Sequence, residues 1–542
     1  MVDRMPENND SFSFGDALFL YLEREGMPLN VASVSVFEGV IPLKACIAFV
    51  KSKLPLIPRY RQRVVVPPFN LGLPVWDFDP RFDVHNHIHQ LTLRRGTDAE
   101  FKAVASRVLS ASLDRDRPLW DLTLLRGLQG NRTAIVTRVH HCLADGLSGV
   151  GLMNTLMDPN PAGSRLPGKR QRFPVPPPRD AGMSLLEGLI SACFTAARQV
   201  LTAQSDLLNL AQRVVAGAGK PPESAESPTP GPNSDVQTPL LEQLSRLLPE
   251  LAAPAERLPF NVICRGPQKF NWTEIPLAEI KALKQVCGAT VNDVLLTLVT
   301  SAVRRYTELR GAQVRGRQLR IVVPVSVRGR DNVNDLGNRI TFLPVTLPLD
   351  VRHPRKLVAA VREKMAFLKG AHVAEMVGLT GTLLGTIPTS LQALVGPIAS
   401  QLPLSVCNLI CTNVPGPKTA LYLLGHKMLS CYPYVPIGGE MGLNCALLTY
   451  NGTAYFGFTA DARAAPDLEQ LPKFLTMSFA EMQKALGIRR PQRRRSRAKA
   501  KAAPPRPATV HPKPSSVIGF TAKPQPEETP KQEQPGHVGA VA

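Results

Sequence analysis

The hydrophobic pattern of this chain switches period repeatedly, and that switching limits the fold more tightly than any bulk property. Runs such as VASVSVFEGV, TAIVTRV and QLRIVVPVSVR are short and rich in β-branched residues, as strands are. Between them, AEFKAVASRVLSASL and TVNDVLLTLVTSAVRRYTEL repeat their apolar residues at helical spacing. Strand and helix alternate in this way in both halves, so the expected class is α/β.

At 542 residues the chain exceeds what one hydrophobic core normally serves. The 51 prolines exceed average usage and mark where the pattern breaks. A run from Pro174 to Pro178, an apolar helical stretch from Met183 to about Val215, and a Pro/Ser/Glu-rich run from Pro221 to Pro239 separate two α/β units. The expected division is a first domain over 1–165, a crossover over 166–258, a second domain over 259–487 and a disordered basic tail over 488–542.

The net charge of +21 is unevenly spread, with 12 Lys and Arg against 3 Glu from Arg489 onward. The body is therefore only moderately basic, which suits phosphate-bearing or membrane-borne ligands. It has no basic platform interleaved with aromatics, so no nucleic-acid partner is expected. Nine cysteines without a CxxC pair argue against a disulfide scaffold and a zinc site. No secretory signal is visible at the N-terminus, so a cytoplasmic location is expected. From Met376 to Pro417 no residue is charged, but Gly378, Gly381, Gly385, Pro388, Gly396, Pro397 and Pro403 interrupt the stretch. A buried helix pair is expected there, with a membrane-resting or tunnel-lining face as the alternative.

Directly after the TAIVTRV strand comes His140-His141-Cys142-Leu143-Ala144-Asp145-Gly146, the pattern HHxxxDG. An imidazole is neutral near pH 7 and accepts a proton from a hydroxyl as that hydroxyl attacks a carbonyl. Adjacent residues of an extended segment point to opposite sides, so one histidine faces substrate and the other packs or positions. The Asp145 carboxylate either orients the imidazole or turns away to pair with an arginine. Gly146 permits a close approach that a Cβ forbids. Ser148, in DGLSG, is not in a GxSxG elbow, which argues against a covalent hydrolase-type route. His85, His87 and His89 alternate, so on a strand they would share one face with Asp83. A solvated face explains that alternation, and no metal site is expected.

The HHxxxDG run resembles the motif of coenzyme A-dependent acyltransferases, and four further segments resemble the bacterial wax ester synthase/diacylglycerol acyltransferase family. They are SFGDALFLYLE, Pro118-Leu119-Trp120 with Asp121, Thr290-Val291-Asn292-Asp293-Val294, and Asn413-Val414-Pro415-Gly416-Pro417. The resemblance covers about Phe12 to Gly487. It implies two similar chloramphenicol-acetyltransferase-like α/β domains with mixed sheets and the active histidine midway along a tunnel between them. By the same analogy His141 is the proton acceptor, His140 a supporting neighbour, and Asp145 a structural residue with Arg328 as its candidate salt-bridge partner. Asn292 matches the family's ND pair with Asp293, and its amide is a candidate oxyanion donor. Both residues also cap helices, and that role stays open. Pro118, Leu119 and Trp120 shape the wall of the site.

The function so implied is O-acyl transfer from acyl-CoA, a substrate with no separate cofactor, to a lipid alcohol. Diacylglycerol is the favoured acceptor, giving triacylglycerol, with a long-chain alcohol and wax ester as the alternative. Peripheral contact with the inner membrane face or lipid bodies is expected. Two other readings stand beside it: a carrier-protein-dependent condensation or polyketide-associated acyltransferase, and a non-catalytic protein of membranes or lipid droplets.

Overall fold

Ser13 opens the first helix with a capping box, its hydroxyl accepting from the Asp16 N–H and the Asp16 carboxylate accepting from the Ser13 N–H. The computed structural model describes residues 12–70, 72–163, 253–326, 340–370, 373, 387, 391–394 and 406–488. Arg328, most of the crossover, much of the charge-free stretch and the basic tail lie outside them.

The first half runs α1 (Phe14–Leu22), β1 (Asn30–Glu38), α2 (Leu43–Lys53), β2 (Gln62–Val65), β3 (Val75–Phe78), β4 (Ile88–Thr92), α3 (Asp98–Leu109), β5 (Trp120–Leu128), β6 (Arg132–His140) and α4 (Gly146–Leu156). The second half runs β7 (Gln268–Pro276), α5 (Leu277–Cys287), α6 (Val291–Leu309), β8 (Gln318–Ser326), β9 (Ile340–Pro348), α7 (Pro354–Gly370), β10 (Leu409–Pro415), β11 (Tyr422–Leu423), β12 (His426–Tyr434), β13 (Leu443–Tyr450), β14 (Thr453–Asp461) and α8 (Gln470–Ala485). The strands and helices read from periodicity appear within a few residues of their expected bounds.

Two six-stranded sheets carry the fold, in the orders β11-β12-β1-β6-β5-β4 and β7-β14-β13-β10-β8-β9. Both are mixed: β4 runs parallel to β5, and β10 runs parallel to β8 and β13, while the other pairings are antiparallel. The architecture is thus the two-lobed α/β arrangement that the family resemblance implies. Helix α6 is buried along most of its length, with Val294, Leu295, Leu298, Val299, Val303 and Tyr306 packed in the second core. Each such side chain contributes about 1.5–3 kcal/mol when taken from water. Among the described residues no single helix is long and apolar enough to cross a membrane; α5 and α6 pass such a test only jointly, bent by 100°.

The lobes interlock. Strand β12, from the second half, pairs antiparallel with β1, setting Ala32 opposite Tyr434. A Cβ on Gly457 of β14 would stand 1.9 Å from the Pro433 carbonyl oxygen of β12, so only glycine lets the two sheets approach there. The crevice between the sheets is walled by β1, β6 and β12 on one side and by β8, β10 and β13 on the other.

Candidate active site

His141 leaves the end of β6 with its backbone N–H donating to the Leu29 carbonyl at 2.9 Å. Its ring stacks on Phe19 of α1, with centroids 3.8 Å apart and planes 6° apart, which fixes the imidazole plane. The residue is 9% exposed and borders a cavity of about 410 Å³ in the crevice. Most of that cavity is apolar, with Val150, Met153 and Leu156 of α4 on one wall and Ala446 and Leu448 of β13 on another. A long hydrocarbon chain fits such a lining.

His140 points the other way and is 1% exposed. Its N–H donates to the Leu119 carbonyl at 3.0 Å, and its Nδ1 accepts from the Cys142 N–H at 3.1 Å. The ring proton therefore sits on Nε2, which faces Glu23 Oε1 at 3.4 Å. Burial alone would raise the Glu23 carboxyl, but the His140 ring and the Arg115 guanidinium together outweigh it and hold the group at about 2. Glu23 Oε1 also accepts from the Leu29 N–H at 3.0 Å. One carboxylate thus braces His140 directly and, through Leu29, the backbone that holds His141.

Asp145 is the N-cap of α4, its carboxylate accepting from the Ser148 N–H at 2.8 Å. The residue is buried, and the contact fixes the turn between the histidines and the helix. A Cβ on Gly146 would stand 2.8 Å from Cγ2 of Val414, so the HHxxxDG turn of the first lobe presses against the Asn413-to-Pro417 segment of the second.

Asn292 and Asp293 serve different purposes. Asp293 completes a capping box with Thr290, its Oδ2 accepting from the Thr290 N–H at 2.8 Å and its own N–H donating to the Thr290 hydroxyl at 3.2 Å. Asn292 Oδ1 accepts from Nδ2 of Asn413 at 3.3 Å. It is Asn413 that borders the cavity with His141; Asn292 stands behind it.

Pro118, Leu119 and Trp120 are all buried. Trp120 donates from Nε1 to the Tyr60 carbonyl at 2.8 Å. Its ring lies against Tyr60 and His87, with centroids at 4.4 and 4.6 Å. Tyr60 in turn borders the cavity, so the tryptophan supports the wall from behind. Next to it, Asp121 and Arg138 form a buried two-pronged ion pair across β5 and β6.

The expected shared face of His85, His87 and His89 does not exist. Residues Val84–Asn86 form a 3-10 turn capped by Asp83, which breaks the alternation. His87 is buried with Nδ1 2.8 Å from the Trp120 carbonyl, while His85 and His89 are exposed. Among the described residues no three His, Cys, Asp or Glu side chains are grouped to hold a metal ion.

The comparisons with known proteins bear on this geometry. The sequence matches the "Wax ester synthase/diacylglycerol acyltransferase catalytic domain" over residues 12–295 and the "WS/DGAT C-terminal domain" over residues 336–483. Two probable diacylglycerol O-acyltransferases of Mycobacterium tuberculosis are similar throughout. One is 26% identical over 89% of this chain and 97% of its own length; the other is 27% identical over 87% and 98%. Among solved structures, the wax ester synthase/diacylglycerol acyltransferase from Marinobacter aquaeolei superposes with a TM-score of 0.59 at 23% identity, covering 88% of this chain and 100% of that one. The first condensation domain of the CDA synthetase gives 0.54 at 15% identity, covering 89% and 98%. Both likenesses concern the fold.

Proposed function

The chain belongs to the wax ester synthase/diacylglycerol acyltransferase family, and on that premise we propose that it carries a long-chain acyl group from coenzyme A to a lipid hydroxyl, with His141 as the general base. The observation that supports this most is the placement of His141 on an otherwise largely apolar cavity between the lobes, its ring plane set by Phe19. The acceptor oxygen gives its proton to the imidazole and attacks the thioester carbonyl. The tetrahedral intermediate then expels the thiolate, which takes the proton back from the imidazolium, and no acyl-enzyme forms.

Asn413 is the amide at the cavity best placed by its neighbours to face the developing oxyanion, with Asn292 holding it from behind. Asp145 shapes the turn as the cap of α4, and His140 with Glu23 keeps the paired histidine rigid. Diacylglycerol is the acceptor we favour, with a long-chain alcohol as the second. Both are amphipathic, so the enzyme would work from the cytoplasm at the surface of a bilayer or lipid body.

The test is product analysis by thin-layer chromatography after incubating purified protein with labelled palmitoyl-CoA and either diacylglycerol or hexadecanol. Label in triacylglycerol is the expected result, with wax ester as the lesser product. Label in neither, from folded protein, would overturn the assignment.

A further inference from the structure

Among the described residues no large apolar side chain is more exposed than Phe69, at 77%, on the loop that joins β2 to β3. Val66 on the same loop is 50% exposed, and Leu56, shortly before the hairpin, is 65% exposed. Phe69 has a φ of 55° and Asn70 a φ of 53°, the left-handed region that a bulky side chain seldom occupies. Such a conformation persists only where its surroundings fix it. Here the Asn70 N–H donates to the Pro67 carbonyl at 3.0 Å, and the closed turn holds the Phe69 ring in solvent.

The sequence around these side chains is basic without any acid. From Lys51 to Trp76 there are five Lys and Arg and no Asp or Glu. Lys53 is committed to Asp158 at 3.3 Å, whereas Arg61 and Arg63 are half-buried and form no ion pair among the described residues. Single exposed apolar residues are ordinary, but an aromatic and aliphatic tip set among unpaired cations has the character of a surface that enters a lipid interface.

The hairpin is also tied to the reaction site. The Phe12 N–H donates to the Pro74 carbonyl at 3.0 Å, and the Phe12 ring stacks on Trp76 of β3 with centroids 4.5 Å apart. Phe12 leads into α1, which carries Phe19 against His141. Ahead of the other strand, Tyr60 stands two residues before β2 and borders the reaction cavity.

We propose that the β2–β3 loop is the surface by which the protein meets an anionic phospholipid bilayer, with Val66 and Phe69 entering the headgroup layer and Arg61 and Arg63 supplying the charge that favours acidic lipids. The inference deepens the acyl-transfer reading by assigning the face that meets the lipid acceptor, and it rests on that reading for the acceptor alone. An acidic bilayer matches both halves of the surface, the apolar tip and the uncompensated guanidinium groups.

The probe is Phe69→Trp in the full chain, read against wild type, whose three tryptophans give the background. Vesicles of phosphatidylcholine, with and without phosphatidylglycerol, are added, and brominated phosphatidylcholine serves as the quencher. The emission of the introduced tryptophan should shift to the blue and be quenched, more strongly with the acidic vesicles. Val66→Ser/Phe69→Ser should lower the vesicle partition coefficient roughly tenfold, because the apolar area of both side chains no longer leaves water. Arg61→Gln/Arg63→Gln should weaken binding to acidic vesicles roughly tenfold and leave binding to neutral ones unchanged. Thermal melts identify folded variants, and if either pair unfolds, the Phe69→Trp signal decides alone. Vesicle binding with unchanged emission would assign the contact to another surface, such as the basic tail, and overturn the proposal, as would no binding at all. A blue shift that grows with protein concentration without lipid would mean that a second copy covers the loop, and it too would overturn the proposal. Insertion by a protein that transfers no acyl group would leave this surface standing while the functional reading fell; transfer without insertion would do the reverse.

Discussion

Glu23 Oε1 lies 3.4 Å from Nε2 of His140, and both side chains are buried beneath the histidine that borders the reaction cavity. The carboxylate and the ring form the inner face of a turn whose outer face is His141. Replacing Glu23 by Gln keeps the size of the side chain but removes the charge that His140 and Arg115 share. Expected is a kcat roughly 10–100-fold lower with little change in KM. Acid stability should report the same pair. The Glu23 carboxyl is held at about 2 against an ordinary 4.5. A depressed carboxyl stabilises the folded state fully above its unfolded value and loses that contribution as pH falls through the folded one. Urea midpoints of wild type should therefore decline over the interval from about 4.5 to about 2, and Glu23→Gln should flatten that decline.

Asn413 borders the cavity and Asn292 only holds it, so the two substitutions should differ in size. Asn413→Ala is expected to lower kcat by about 10²–10³-fold, as loss of one oxyanion donor does. Asn292→Ala should cost roughly tenfold, through a loosened neighbour. A larger loss for Asn292→Ala in steady-state kinetics would reverse the roles.

Gly146 meets Val414 across the lobes. Its backbone tolerates alanine, so the penalty of Gly146→Ala comes from the 2.8 Å contact of the new Cβ with Cγ2 of Val414. Overpacking of this kind costs about 1–3 kcal/mol. Val414→Ala opens the space, so the double variant should be more stable than the sum of the singles predicts, a coupling that urea unfolding measures.

Asp121 and Arg138 pair within the first sheet, and Arg138 also donates to the Ala111 carbonyl at the end of α3. Asp121→Ala leaves a buried guanidinium without its carboxylate and should destabilise the fold by about 3–5 kcal/mol. A thermal melt close to that of wild type would show that water or a rearranged partner compensates.

Much of this was legible in the sequence because local signals were strong. The strand TAIVTRV, the helix opening at Thr290, and the HHxxxDG turn each rest on residues a few positions apart. What escaped depends on partners distant along the chain. Strand β12 joins the sheet of the first half rather than that of its own, and nothing local in its sequence says so. Glu23 ends an amphipathic helix, where a surface carboxylate is the ordinary expectation; it is buried because His140 and Arg115 converge on it. Asn413 opens the Asn413-to-Pro417 motif, yet only its contact across to Asn292 of α6 separates the places of the two amides. The histidine series at 85, 87 and 89 misled because a short turn capped by Asp83 replaces the start of the strand.

Direct transfer to a hydroxyl depends on His141 as its base. The measurement is the steady-state rate of labelled acyl transfer from palmitoyl-CoA to diacylglycerol by wild type and His141→Ala, with desulfo-CoA binding measured on both. Expected in the variant is a kcat lower by about 10²–10⁴-fold, the range general-base catalysis supplies, with binding retained. A folded His141→Ala protein turning over at the wild-type rate would contradict it.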